Sequence, residues 1–431
     1  MEEIRVGLLG LGTVGSGVVK IINAHQDRLI HQIGCPVKVT KILVKNLEKE
    51  RDVQITPDML TKDATEIIDN ENIDIVIEVM GGLEEARAHI LRALQNGKHV
   101  VTANKDLMAV YGSELLSVAK ENQCDLFYEA SVAGGIPILR TIVDGLSSDR
   151  ITKMMGIVNG TTNFILTKMS NEGRAYEDVL KEAQELGFAE ADPTSDVEGL
   201  DAARKMTILA TLGFSTNVEL KDVSVKGISS ITEEDLAYSQ GLGYTMKLIG
   251  LAKRDGEKLE VSVEPTLLPN THPLAAVQNE FNAVYVYGAA VGETMFYGPG
   301  AGSLPTATSI VSDLVAVMRN MRLGVNGNST VTPQYPKVLK NEDEITAKYF
   351  LRIHVKDEVG VFAQVTSLFS EYGASFEKII QTPLEEKGTA EIVLVTHHTS
   401  LTSYKSILQR LEGLNVVQGV KASYRIEGEG K

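Results

Sequence analysis

The chain has little cysteine and no long apolar run. Its 431 residues hold two cysteines, Cys35 and Cys124, at a separation that gives neither a disulfide framework nor a metal-ligand pair. So few thiols fit a reducing compartment. No stretch approaches the roughly 20 consecutive apolar residues that cross a bilayer, which argues against a membrane protein. The N-terminus runs straight into strand-like Ile4–Leu9, without the basic-then-apolar pattern of a secretory signal, so a cytoplasmic protein is expected. Positive charge is also short: 42 Lys and Arg face 57 Asp and Glu, a net of −15. That balance argues against nucleic acid or an anionic membrane surface as partner. Solenoid repeats and low-complexity tracts are absent. What remains, 43% hydrophobic and 23% charged, is the composition of an ordinary globular protein. The length exceeds one core and implies two or three domains.

The first part alternates strand and helix. Strand patterns at Arg5–Leu9, Val37–Lys45, Asp74–Met80, His99–Thr102 and Asp125–Glu129 are separated by helical ones at 10–24, Leu83–Asn96 and Glu114–Glu121. This rhythm predicts a parallel sheet covered on both faces. The middle part mixes acid-rich loops with strand runs at Leu259–Pro265 and Ala283–Tyr287, then a glycine-rich turn and a helix over 307–321. A polar stretch from Asn326 to Asp343 with two prolines reads as a linker. Beyond it lies a strand-helix-strand-strand-helix-strand unit over 349–425. The expected domains are 1–134 (dinucleotide-binding, with the helix around 305–325 packing back onto it), 135–328, a linker at 329–346, and 347–431.

After the first strand the chain reads Gly10-Leu11-Gly12-Thr13-Val14-Gly15. Glycines at this spacing allow a tight turn, close backbone approach to a pyrophosphate, and close helix–strand packing. The helix that follows offers its N–H groups and positive dipole end to phosphates. A dinucleotide site is expected there. The second strand ends at Val44-Lys45, without the acid that accepts from the ribose 2′-hydroxyl in NAD binders. Lys45, with Lys49 and Arg51 nearby, suits a 2′-phosphate instead, so NADP(H) is expected over NAD(H). A solvated strand-end lysine is the plainer reading.

The segment from Ala183 to Lys205 concentrates charge. A helix stops at Gly187, a loop carries Glu190, Asp192 and Asp196, and a second helix starts near Gly199 and presents Asp201 and Lys205 one turn apart. That helix is otherwise apolar. The local pattern fits a functional cleft and a structural ion pair equally well.

Taken together these residues resemble homoserine dehydrogenases of the longer type, with a C-terminal ACT domain. The segment Ala183–Lys205 matches the family pattern at each fixed position. Thr102-Ala-Asn-Lys105, Ser131–Pro137 and Asn159-Gly-Thr-Thr-Asn163 support it. The resemblance implies an α/β protein with three parts: a Rossmann-type parallel sheet, an α+β catalytic and dimerisation domain, and a ferredoxin-like ACT domain. It implies reversible NAD(P)H-dependent reduction of L-aspartate 4-semialdehyde to L-homoserine, toward threonine, isoleucine and methionine. By the same resemblance Lys205 and Lys105 are the lysines at the reacting oxygen, with Asp201 beside them, and which one transfers the proton stays open. Glu190, Asp196, Asp201, Gly160 and Thr161 would bind substrate. Lys105, Gly187 and Gly302 would join Gly10 to Gly15, Val44 and Lys45 at the cofactor. A structural sodium ion would sit on the Glu129 carboxylate and the carbonyls of Val132, Gly134 and Ile136. A homodimer, or a homotetramer through the C-terminal units, is implied.

The stretch Val355–Ala363 carries the resemblance to ACT domains, and by it Asp357 and Gly360 would hold an amino-acid effector, threonine by analogy. A plain dimerisation module is the alternative. Two rivals to the whole reading have recognisable signatures. An enzyme that oxidises an aldehyde to an acyl product needs an activated thiolate, and neither cysteine has a basic partner in view. A non-catalytic sensor would not need both Lys105 and Lys205.

Overall fold

The computed structural model describes residues 3–328, 332–384 and 388–428. The first residues of the expected linker, 329–331, lie outside them, as do the extreme ends of the first and last expected domains. The chain forms two compact units. One comprises residues up to Met154 with Arg204–Asp222 and Asn282–Lys337; the other comprises Met155–Ala203, Val223–Phe281 and the residues from Val338 on.

The first unit is built on a six-stranded sheet of β1 (Ile4–Leu9), β2 (Val37–Leu43), β3 (Leu60–Thr61), β4 (Ile75–Glu78), β5 (His99–Thr102) and β6 (Leu126–Phe127). All pairings are parallel, in the order β3-β2-β1-β4-β5-β6. Chain direction across the sheet reverses between β1 and β4, where doubly wound sheets open a ligand crevice. β4 is buried along its whole length, as a β-branched run covered on both faces must be. The helices are α1 (Thr13–Ala24), α2 (Gln26–Ile33), α3 (Thr65–Ile68), α4 (Glu84–Gln95) and α5 (Lys105–Glu121). A later helix, Ser303–Leu323, lies against α1. Ala307, Ile310, Leu314, Val317 and Met318 of its buried stripe join Val18 and Ile22 in one core.

Three local differences from the sequence reading have simple causes. α2 follows α1 directly; only Leu29 and Ile33 of it are buried, too weak a stripe to stand out. α5 starts nine residues earlier than its sequence pattern, because Gly112 inside it resembles a stop. The expected strand through Glu129 ends at Phe127, and Glu129 lies in a 3-10 turn, Glu129–Ser131. Asp125 stands just before β6 and accepts from the Asn320 and Asn326 amides and the Gly327 N–H.

In the second unit, antiparallel strands Tyr244–Asp255 and Lys258–Pro269 form a long hairpin. The C-terminal part is Thr346–Lys356, helix Val361–Glu371, Phe376–Pro383, Thr389–Thr396, helix Leu401–Glu412 and Val417–Ile426. Its four strands lie in the order last, first, third, second, all antiparallel, which is the ferredoxin-like arrangement. The last of them also pairs in parallel with Lys258–Pro269 through Thr266 and Leu267. The polar stretch after Asn326 is strapped down. Tyr335 bridges to Thr216, Leu339 to Leu259, and the Lys337 ammonium sits 2.7 Å from Asp222. Among the described residues no helix is long and apolar enough to cross a membrane.

Candidate active site

In the first unit the glycine turn has the geometry its spacing requires. Gly10 is left-handed (φ +107°), and a Cβ there would lie 2.8 Å from the Val79 carbonyl oxygen. A Cβ on Gly15 would strike the Gly10 carbonyl, whereas one on Gly12 would meet nothing within 4 Å. Close packing at the first and third glycines and open approach at the second are what a pyrophosphate needs. No side chain caps α1, so its first N–H groups face this turn. The Ser303 hydroxyl donates to the Thr13 carbonyl (2.7 Å) and brings Gly302 (φ +119°) to the same place.

A cleft of about 570 Å³ runs along the ends of β1, β2 and β4. Its walls include Leu11, Val44, Lys45, Lys49, Arg51 and Lys62, with Glu85 as the acid among them. The Arg51 guanidinium donates to the carbonyls of Asn46 and Lys49, which folds the loop toward the cleft. The sequence pattern does not single out Lys62. It follows the two-residue strand β3, whose pairing with Ile42 and Leu43 carries it to the same sheet end. A strand that short leaves no periodicity to read.

Lys105 opens α5, whose N-cap is Asn104: its side-chain oxygen accepts from Leu107 N (3.1 Å). Lys205 lies on the helix Leu200–Phe214, one turn after Asp201. Both lysines are half-buried. Their neighbours meet: Arg204 Nε is 2.8 Å from Asp106 Oδ1.

In the second unit, two of the expected carboxylates are held by Asn159, a residue not among the expected site residues. Asn159 caps the helix Gly160–Glu172 through its Oδ1, which accepts from Thr162 N (2.9 Å). Its Nδ2 donates to Asp196 Oδ1 (2.7 Å) and to Asp201 Oδ2 (2.8 Å). One amide thus holds two carboxylates at the helix start that carries Gly160 and Thr161. Asp201 is only 5% exposed, so its charge is directed inward rather than to bulk water. The Thr161 hydroxyl donates to the Phe188 carbonyl (2.6 Å), tying that start to the loop of Glu190. Gln184 Nε2 holds the same loop by the Glu190 carbonyl (3.1 Å), leaving the exposed Glu190 carboxylate outward. Gly187 is left-handed (φ +77°) at the end of this helix-loop junction. The sequence signal for Asn159 was its place in the motif Asn159–Asn163, before a helix.

Asn163, at the other end of that motif, is held by a buried lysine. Lys247 Nζ donates to Asn163 Oδ1 (2.9 Å) and to the Val277 carbonyl. Lys247 is 1% exposed, and burial lowers its pKa to about 8.

The foreseen cation loop has consecutive left-handed residues, Ala133 (φ +53°) and Gly134 (φ +37°), an unusual turn that redirects carbonyls. The Glu129 carboxylate is buried. It accepts from Leu139 N (2.8 Å) and Arg140 N (2.7 Å), and the Gly134 carbonyl accepts from the Ser309 hydroxyl (2.7 Å). Burial raises the Glu129 pKa, and these two N–H donors oppose it. Each oxygen keeps a further lone pair, so the carboxylate and carbonyls remain able to ligate a hard cation. Among the described residues no cluster of three His, Cys, Asp or Glu side chains could bind a metal, so a cation would depend on such backbone oxygens.

In the C-terminal part, Asp357 and Gly360 are both exposed after the first strand. Asp357 N donates to the Gly388 carbonyl (2.9 Å), and left-handed Gly360 caps the helix Val361–Glu371. Both cysteines are buried, and burial pushes the Cys124 thiol up to about 11, unsuited to a nucleophile.

Comparison with known proteins identifies the family. The family model described as the homoserine dehydrogenase NAD-binding domain matches residues 10–129. The homoserine dehydrogenase model matches residues 137–315, and the ACT domain model residues 349–415. The chain is 70% identical to a homoserine dehydrogenase of Bacillus subtilis, covering 100% of both, and 41% identical to one of Pseudomonas aeruginosa, covering 99% of both. The crystal structure of a homoserine dehydrogenase from Thiobacillus denitrificans has a TM-score of 0.94 at 39% identity, covering 100% of this chain and 99% of that one. A hyperthermophilic archaeal homoserine dehydrogenase in complex with NADPH has a TM-score of 0.61 at 26% identity, covering 73% of this chain and 97% of that one.

Proposed function

This chain belongs to the homoserine dehydrogenase family, and from that premise we propose that it interconverts L-homoserine and L-aspartate 4-semialdehyde with NADP(H) preferred over NAD(H). The step lies toward threonine, isoleucine and methionine. The observation that carries the reading is the Asn159 clamp on Asp196 and Asp201. One amide gathers two carboxylates at a helix start, an arrangement that suits a substrate ammonium, with a lysine one turn along the helix.

Oxidation of the alcohol removes a proton from oxygen and a hydride from carbon. A bound nicotinamide supplies the hydride acceptor. One of Lys105 and Lys205 takes the hydroxyl proton, and the other steadies the charge on oxygen. Asp196 and Asp201 help to hold the substrate amino group or the lysines. Glu190 binds the substrate α-ammonium, and the helix start at Gly160 and Thr161 receives the α-carboxylate. Gly10 to Gly15, with Leu11, Thr13 and Val14 between, cradle the pyrophosphate; Gly187 and Gly302 border the cofactor. Val44 and Lys45, with Lys49, Arg51 and Lys62, form the 2′-phosphate end. The archaeal relative bound to NADPH supports that choice. Glu129 and the carbonyls of Val132, Gly134 and Ile136 hold a structural sodium ion. Threonine at Asp357 and Gly360, a cytoplasmic location and a dimer or tetramer complete the proposal.

The test is the near-ultraviolet absorbance of reduced nicotinamide, with homoserine and either oxidised cofactor, with and without threonine. Faster reduction of NADP⁺ supports the reading. NADPH binding without turnover in the presence of sodium would replace it with the sensor reading.

A further inference from the structure

Glu78 is a buried carboxylate that the reaction above does not use. It ends β4 at the crevice where the chain direction reverses, and it is 0% exposed. Among the described residues no cation pairs with it; neutral donors satisfy it. Oε1 accepts from Met80 N (2.9 Å) and Gly81 N (3.1 Å), and Oε2 accepts from the Thr102 hydroxyl (2.6 Å). The same Thr102 oxygen accepts from Asn104 N (3.0 Å). Asn104 then donates from Nδ2 to the Gly82 carbonyl (2.8 Å) and caps α5 at Leu107 N. The bonds close a ring: Glu78, the turn 80–82, Asn104, Thr102 and back to Glu78.

The two sides of this ring face different chemistry. Val79 and Met80 line the cofactor cleft beside Gly10 and Gly12. Gly81 and Gly82 are left-handed and exposed, and a Cβ on either would meet nothing within 4 Å, so that side is open to a ligand. The other side carries Lys105, the residue after Asn104. A carboxylate without a cation in the low dielectric of the sheet interior is costly unless its donors are held in place, and such a network is stiff.

We infer that Glu78 is a positioning residue. Its carboxylate binds the turn 80–82 and the segment Thr102–Lys105 into one body, so that the cofactor seated at the turn fixes where the Lys105 ammonium stands. The inference rests on the proposed dehydrogenase reading and adds the group that couples cofactor to lysine. Thr102 is the link, because its hydroxyl both donates to Glu78 and accepts from Asn104.

Three variants test it: Thr102→Val, Thr102→Ser and Glu78→Gln. Each is assayed for homoserine turnover, NADPH affinity by fluorescence, and thermal melting. Thr102→Val cuts only the lysine side, so kcat falls about ten- to a hundredfold while the NADPH Kd moves by less than about twofold. Thr102→Ser keeps the hydroxyl and restores most of kcat. Glu78→Gln turns one acceptor into a donor and perturbs both sides, so kcat falls and NADPH binding weakens severalfold. Wild-type kcat in Thr102→Val overturns the inference. So does failure of Thr102→Ser to rescue, or a loss of kcat and NADPH affinity that merely tracks melting in all three. If Thr102→Val does not fold, Glu78→Gln decides alone: unchanged kcat and NADPH affinity overturn the inference. A wild-type enzyme inert toward homoserine overturns the dehydrogenase reading instead, and the NADPH affinities of Glu78→Gln and Thr102→Val then judge the ring by their difference.

Discussion

Arg204 and Asp106 form an ion pair at 2.8 Å, and each is the chain neighbour of a lysine proposed to act at the reacting oxygen. Arg204 precedes Lys205 and Asp106 follows Lys105. The pair therefore ties the helix Leu200–Phe214 to the first turn of α5 at the point where both lysines emerge. Asp106 in that turn also favours the helix dipole. The pair is partly solvated, so its worth in stability is at most about 1 kcal/mol. Its value lies in register.

Arg204→Met should accordingly leave unfolding free energy within about 1 kcal/mol of wild type. Turnover should fall about tenfold or more, since a small misplacement of a reacting group is costly. The exchange Arg204→Asp with Asp106→Arg should recover part of the loss. A double-mutant cycle in kcat, alongside denaturant melts, checks this; additive losses would remove the pairing from the account.

Lys205→Ala should lower kcat by about 10²–10⁴-fold with little change in cofactor affinity, as expected for loss of a proton-transfer group. Glu190→Ala should act on the other constant and raise the homoserine KM about tenfold or more through loss of a charge-assisted contact. Steady-state kinetics with isotopically normal substrate separates the two. A Lys205→Ala enzyme with near-normal kcat would assign the proton to Lys105.

Lys45→Glu should raise the KM for NADP⁺ about tenfold or more and leave that for NAD⁺ almost unchanged. The effect should shrink with added salt, because Lys45 is exposed. Parallel kinetics with both cofactors at two ionic strengths is the measurement. Equal losses with both cofactors would place Lys45 away from the 2′-phosphate.

How far the site could be read before the fold was known depended on whether a residue acts through its neighbours in the chain. The glycine turn, the stop at Gly187 and the Asp201–Lys205 spacing are local, and helix or turn geometry fixes them. The strand and helix order of the C-terminal part follows from periodicity alone, and the structure matches it closely. Asn159 is different. Its partners are 37 and 42 residues away, and no spacing rule links an amide to carboxylates at that range. Lys62 and Glu78 were hidden for related reasons: one follows a strand of two residues, and the other sits in a run whose buried pattern gives a carboxylate no obvious partner.

Lys247 sets a pH dependence of its own. Burial lowers its pKa to about 8 from 10.5, so between those values the unfolded chain holds a proton that the folded chain does not. Stability from this group therefore rises with pH across that window, and the penalty below it is at most about 3 kcal/mol. Lys247→Met has no such group. The difference in unfolding free energy, wild type minus variant, should increase from pH 8 toward pH 10.5, read by denaturant melts across that range. A flat difference would mean that the ammonium is better solvated than its surroundings suggest.

The parallel pairing of Val417–Ile426 with Lys258–Pro269 makes the C-terminal part hard to excise. Arg425 lies in that seam with Glu260, Glu264 and Glu427 around it, and Lys253 beside Glu427. Deleting the part would unpair Thr266 and Leu267 of that strand and leave Glu260 and Glu264 in the seam without their guanidinium. A shortened gene product would tend to stick to its own copies rather than work as a simpler enzyme. A variant meant to test the proposed effector site should alter single residues at the Gly360 turn and leave the polypeptide whole.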